Sequence, residues 1–409
     1  MKRLFGMSCY FYLLIGITSV LLGSLLPKLL PHYGRDYSDG GMLLFLQFIG
    51  FLCGVMTSPW WSQRFGRKHL LLIALINVVI PYAVIGFLPS WYAVIAMTFC
   101  TGFGSGIIES AVGAFTIEFA EGQKSIAMTK LDVYFGVGAL LMPAVISGFV
   151  AIDLWSYSFF AAAAAAAGLL LLWVTMPAQS SELLQLRTVP ASGTDSRDSA
   201  GTPAAAGGYI GRQRVILLIY VVFFFVYMGL ELGIMNFLPS ILIESTGVNP
   251  STAALGVTAF WTAMVAGRLF AGHLAERVRY IPFLLASSMG TLLLLIGLAV
   301  VQSQISIFLL ILGVGLLMSG LFSIALVLAN ALLPGQIERT TSILIAAGGI
   351  GGSVLQFFIG WSMEQWNVGW TLWMLAGFAL ILFIIVFLSE PLGGNRAGRN
   401  TAGLKASNQ

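Results

Sequence analysis

The chain has 409 residues, of which 58% are hydrophobic and only 9% charged, and its mean hydropathy is +0.93. A soluble protein of this length needs far more polar surface, so the composition excludes a water-soluble globular fold. The net charge of +4 and the pI of 9.0 fit basic loops beside a membrane and call for no nucleic-acid partner.

The N-terminus, MKRLFGMSCYFYLLIGITSVLLG, joins a basic start to an apolar run. That run is longer than a signal-peptide core and lacks a small-residue cleavage site, so it reads as an uncleaved first span, 7–31. Apolar stretches of about 20 residues or more follow at 41–63, 69–88, 91–117, 125–150 and 155–176. They are continuous rather than alternating, which predicts helices and not β-barrel strands. Residues 177–212 are rich in Ser, Gly, Pro and Ala with charges of both signs, the composition of a flexible linker. Six more spans are predicted at 213–243, 251–275, 280–301, 304–333, 340–363 and 369–388, before a polar tail at 390–409. The expected fold is an all-α integral membrane protein with twelve transmembrane helices in two pseudo-symmetric six-helix bundles, 1–176 and 213–389.

Lys and Arg set the orientation. Lys2, Arg3, Arg64, Arg67, Lys68, Lys124, Arg212, Arg214, Arg277, Arg279 and Arg339 all fall on one side if both termini are cytoplasmic, whereas the opposite loops hold Arg35, with Lys28 near a helix end. Two six-span halves rocking about a midplane site are a common transporter design, here in the cell membrane. Cys9, Cys53 and Cys100 lie in apolar runs without pairing logic, and His32, His69 and His273 are scattered at loop edges. No phosphate-binding Gly-Lys-Ser loop is present, so ATP is not the expected energy source. No enzyme activity, cofactor or metal is expected.

Three carboxylates fall inside apolar spans: Glu109, Asp132 and Glu231. An acid there costs roughly 2.5–3.5 kcal/mol on insertion scales unless it meets a partner, a proton or water, so such acids mark solute or ion paths. Glu109 sits in GSGIIESAVGAF, with few donors nearby. Burial favours its neutral form, so it can load and release a proton as water access alternates; hydrogen bonding to a neighbouring helix is the structural alternative. Glu231 has Tyr227 one turn before it and Asn236 about one turn after, both suited to hydroxyl groups. Asp132 lies about two turns into its span, where Lys130, Arg64 or Arg268 can pair with it. It is a gating ion pair or a substrate contact. Trp261 offers a ring face and one donor, and Asn330 and Gln356 add amides inside apolar runs or act as interhelical glue.

PWWSQRFGRKHLLL after the second span is echoed by GHLAERVRYIPFLL after the eighth, with Gln63-Arg64 matching Glu276-Arg277 and Arg67 near the place of Arg279. The first hairpin resembles the G-x-x-x-D-R-x-G-R-K signature of the major facilitator superfamily. Pro59 stands at its Gly and Gln63 at its Asp, followed by Arg64, Gly66, Arg67 and Lys68; the second copy has Gly272, Glu276 and Arg277. The resemblance implies that Arg64, Arg67, Glu276 and Arg277 help hold the cytoplasmic side closed. Arg268 joins them as a structural cap or charge partner.

LDVYFGVGALLMPAVISGF (131–149), FFFVYMGLELGIMNFLPSIL (223–242), GFGSGIIESAVGAF and FWTAMVAGRLFAGHLAER resemble helices of the fucose permease-like sugar symporters. Ser110 and Ala111 replace the Asn-Pro pair that often follows the fourth-helix acid in that branch. The resemblance implies a small polar solute, a sugar first, moved by alternating access and coupled to protons; sodium stays open through the same acids. Glu109 and Asp132 are then the proton-coupling candidates. Glu231, Tyr227, Asn236, Trp261, Asn330 and Gln356 are the substrate-binding ones, in a protein expected to act as a monomer. The alternative on the same fold is a proton-driven multidrug or amphiphile efflux antiporter, whose fifth-span Gly-Pro pair is here Met142-Pro143.

Overall fold

The computed structural model describes residues 2–119, 124–175, 211–301, 303–333 and 337–393. Among them every regular element is an α-helix. In chain order these are α1 (Lys2–Tyr33), α2 (Tyr37–Gly86), α3 (Trp91–Phe119), α4 (Lys124–Ala151), α5 (Tyr157–Val174), α6 (Arg212–Thr246), α7 (Pro250–Val278), α8 (Tyr280–Val300), α9 (Gln304–Met318), α10 (Leu321–Leu332), α11 (Ile337–Gln365) and α12 (Val368–Gly393). The expected linker, 177–212, lies outside the described residues as far as 210, and the tail does so from 394. Eleven stretches of the described chain are long and apolar enough to cross a membrane, α9 and α10 together forming one of them.

Local sequence sets the helix ends. Asp36 caps α2 by accepting from the Asp39 N–H at 2.8 Å, and Asn249 caps α7 by accepting from the Thr252 N–H at 2.8 Å, with Pro250 as the first helical residue. Gly247 closes α6 in the left-handed conformation (φ 66).

A straight α2 of 50 residues would run about 75 Å, more than twice the hydrocarbon thickness of a bilayer. It is broken at Gly66 (φ 76, ψ 153), a conformation almost reserved for glycine. Both arms pack on one stretch of α3. Gly50 and Gly54 approach Phe99 and Phe103, and Gly104 approaches Ala74 and Asn77. The arms therefore run side by side in opposite directions.

The same turn recurs at Arg279 (φ 79, ψ 152), between α7 and α8. Arg279 thus takes the place of Gly66, which fixes the register of the internal echo: Gln63-Arg64-Phe65-Gly66 matches Glu276-Arg277-Val278-Arg279. A side chain in this region costs of order 1–3 kcal/mol, against roughly 0.5–1 kcal/mol of added chain freedom for glycine. Arg279→Gly is expected to raise the melting temperature of the purified protein. An unchanged or lower value would mean that the Arg279 side chain makes contacts that outweigh the strain.

Where one span was expected at 304–333, the chain breaks at Ser319 and Gly320 between α9 and α10. The break lies close to its neighbours: Gly267 of α7 packs on Ser319, and Gly320 packs on Ala271 and Phe283. It also frees the Met318 carbonyl, which accepts from the Tyr227 hydroxyl at 3.1 Å.

The main seams joining helices before residue 177 to helices after residue 210 are α1 with α6, α2 with α11, and α4 with α7, with a lighter contact of α1 on α7. Polar contacts across them gather at the end of the bundle away from the termini. There the Tyr37 N–H donates to Glu364 at 3.2 Å and the Tyr37 hydroxyl to Glu244 at 2.8 Å. Ser251 donates to the Ser147 carbonyl at 2.9 Å, and Thr258 to the Leu140 carbonyl at 3.0 Å. At the other end Gln63, Arg64, Glu276 and Arg277 are exposed. The bundle is zipped at one face, and the opposite face carries the two hairpins with these four side chains exposed.

Candidate functional site

Glu231 sits near the middle of α6 and is 6% exposed. A buried carboxylate needs a partner. It has Arg268 of α7, whose Nη2 lies 3.5 Å from its Oε1. Arg268 and Trp261 are two turns apart on one face of α7, and the guanidinium carbon stands 5.6 Å from the Trp261 ring centroid. Trp261 in turn meets Phe135 of α4 edge-on, with centroids 5.4 Å apart. Its ring is buried, and its Nε1–H has no acceptor among the described residues. A lone buried donor is costly, which marks this N–H as a candidate contact, closed off here, for a solute oxygen.

Asp132 faces this cluster from α4. It is exposed to the gap between helices and makes no ion pair with a described residue, although the charges of Arg268 and Glu109 act on it. Glu109 is partly exposed on α3. Tyr12 of α1 packs with its hydroxyl against Gly113, one turn beyond Glu109, and feels the charges of both acids. Glu231 and Asp132 thus share the charge of Arg268, and Glu109 adds a third carboxyl beside Asp132.

Toward the zipped face Asn236 Nδ2 donates to Gln356 Oε1 at 2.8 Å, and Gln356 Nε2 donates to the Gly352 carbonyl at 2.9 Å. Asn236 Oδ1 is buried without a donor among the described residues, pressed against Gly23 of α1. The amide pair bridges α6 and α11 and touches α1, so it sits where the halves meet.

Two expected substrate residues are placed elsewhere. Asn330 donates to Thr341 Oγ1 at 2.9 Å, where the end of α10 meets the start of α11 near the face of the two hairpins. Gln356 lies 15 residues beyond Thr341, about 22 Å along the helix, so Asn330 does not join the cluster. Tyr227 is fully buried behind Glu231, with its hydroxyl engaged by Met318. Among the expected gating residues Arg64 lies over Trp60 at 5.6 Å and Arg67 is half-buried; Arg268 belongs to the central cluster instead of the hairpins. Tyr12, Gly23 and Tyr37 carry geometry that the sequence did not single out.

The sequence profile of the Major Facilitator Superfamily matches residues 8–240 and again residues 219–407. The chain belongs to this superfamily. It is a multi-pass membrane protein of a transporter family, not an enzyme. The glucose/mannose transporter GlcP of Bacillus subtilis is 30% identical over 381 residues, covering 93% of this chain and 92% of that one. The gallate transporter of Pseudomonas putida is 24% identical over 187 residues, 45% of this chain and 41% of that one. Among solved structures, the inward open conformation of the xylose transporter XylE from E. coli has a TM-score of 0.73 at 14% identity, covering 94% of this chain and 95% of that one. That likeness speaks for the shared superfamily fold.

Proposed function

We propose that this chain is a secondary transporter that moves a sugar across the cell membrane by alternating access, coupled to protons. Counting the two arms of α2 separately gives twelve crossings, six before the linker and six after it, with both termini and the linker in the cytoplasm. The face of the two hairpins is then the cytoplasmic one, and the exposed Asp132 and hairpin side chains support a state open to it. The observation that carries the reading is the polar cluster at the junction of the halves, in a chain that aligns over nearly its whole length with a glucose/mannose transporter.

Charge bears on the substrate class. Arg268 is engaged by Glu231 and acts on Asp132, and Glu109 adds a third carboxyl beside Asp132. A carboxylate solute of the gallate kind would find no free cation among these residues, whereas a neutral polyol needs none. The Trp261 N–H and Asn236 Oδ1 have no partner among the described residues, and once the surrounding helices open they make a donor and an acceptor that suit hydroxyl groups. Trp261 adds a ring face for the apolar side of a pyranose.

Ligand-induced stabilisation tests the class. Purified protein is expected to melt at higher temperature with glucose or mannose, by an increment that grows with concentration, and not with gallate. Stabilisation by gallate or by lipophilic cations, with no effect of any sugar, would refute the sugar assignment.

A further inference from the structure

Helices α4 and α7 run in opposite directions along their seam. Ser147 meets Ser251 at 2.9 Å, and seven residues on in each helix Leu140 meets Thr258 at 3.0 Å. One turn further Gly136 lies under Val265 and beside Trp261. The next turn of both helices sets Asp132 opposite Arg268. There the seam parts: Asp132 is exposed, and Arg268 turns to Glu231 of its own half at 3.5 Å. That distance is long for a charge-assisted bond, which is about 2.7–2.9 Å when well formed. The register thus sets a carboxylate with no ion-pair partner among the described residues opposite a guanidinium held by Glu231 at 3.5 Å.

We propose that Arg268 exchanges partners during transport, pairing with Glu231 while the face bearing the termini is parted and with Asp132 when that face closes. The charged groups facing Arg268 are Glu231 from α6 and Asp132 from α4, with Glu109 of α3 behind Asp132. The exchange joins the halves across the α4–α7 seam and at the same moment uncovers Glu231. Closing is thereby tied to the state of the central carboxylates: protonating Asp132 removes the partner that draws Arg268 across, and a solute or proton on Glu231 releases the guanidinium to cross. Trp261 lies under the guanidinium and moves with it. The proposal rests on the alternating-access reading but not on the identity of the solute.

The test is a distance measurement that involves no transport. Cys9, Cys53 and Cys100 are replaced by alanine, and spin labels are placed at Gln63→Cys and His273→Cys, both exposed at the face of the two hairpins. Pulsed electron resonance on full-length protein in lipid then reads the ratio of short to long distances. Asp132→Asn is expected to lower that ratio several-fold and Glu231→Gln to raise it several-fold. The charge reversal Asp132→Arg with Arg268→Asp is expected to recover part of what either single change loses. Opposite shifts from two neutralising changes are not a signature of misfolding, and Arg268→Lys, which keeps the charge, is expected to stay near the parent ratio. If Arg268 only neutralises Glu231, Asp132→Asn will leave the ratio unchanged and Glu231→Gln will not raise it; either result overturns the exchange. A sugar-binding failure with these shifts intact would count against the proposed solute alone.

Discussion

Glu109→Gln is expected to abolish concentrative uptake while leaving exchange of labelled solute across the membrane intact. An amide at this position is permanently neutral and imitates the proton-loaded carboxylic acid, so the carrier can still shuttle with solute bound. It can no longer release the proton that sets the direction. Glu109 has little local alternative, since none of the described residues donates a hydrogen bond to it and its charged neighbour is Asp132, of like sign. One proton per solute against a gradient of one pH unit stores about 1.4 kcal/mol and supports roughly tenfold accumulation. The accumulation ratio of the variant is expected to fall to one. Glu231→Gln should behave differently. It leaves Arg268 facing an amide and is expected to weaken binding itself by roughly 1–3 kcal/mol, with exchange falling in step. Counterflow and binding isotherms on the two variants separate the roles, and unchanged uphill transport in Glu109→Gln would remove it from proton coupling.

Gly23→Leu is expected to force the zipped face open. The backbone of α1 touches α6 at this glycine, and any Cβ there would overlap Asn236 Oδ1, Cα and Cβ. Two of these atoms are fixed to the helix backbone, so a rotamer change cannot relieve the clash. The Asn236–Gln356 pair, the Gly41–Gly360 contact and the Tyr37 bonds to Glu244 and Glu364 lie along the same closure, so separating α1 from α6 loosens them together. Ser240, buried beside Tyr37, is a suitable reporter as Ser240→Cys. In the parent background this thiol should resist a membrane-impermeant maleimide added outside the cell. With Gly23→Leu it should label at least tenfold faster, and transport should be lost. Equal protection together with normal uptake would show that α1 and α6 are not a closing seam.

Much of the architecture was legible in the hydropathy, because a span must satisfy its backbone internally and carry about 20 apolar residues. The span boundaries lie within a few residues of α1, α3, α4, α6 and α7, and Gly66 in the repeated hairpin marked the break inside α2. The buried acids were legible for the same reason, since a charge inside an apolar run stands out. Partners across helices were not. Helical spacing shows which residues share a face but not which helix that face meets. Tyr227 therefore looked like a solute ligand next to Glu231, whereas its hydroxyl serves the carbonyl freed by the break after Met318. Arg268 reads as a charge partner, but only the packing of α6 on α7 shows that the acid it meets is Glu231. Asn330 and Gln356 looked alike in sequence and lie at different depths of the bundle. Gly23 was invisible because the close approach that requires it is made by another helix.

The most direct test of the account is uptake into proteoliposomes with an imposed pH gradient, acid on the side away from the termini. Labelled glucose and mannose are followed in parallel at zero gradient and with a protonophore. The account predicts accumulation above the external concentration only with the gradient present, alkalinisation of the acid compartment in step with sugar entry, and collapse to equilibrium when the protonophore is added. Sugar entry that merely equilibrates whatever the gradient, or solute driven outward by the same gradient, would contradict it.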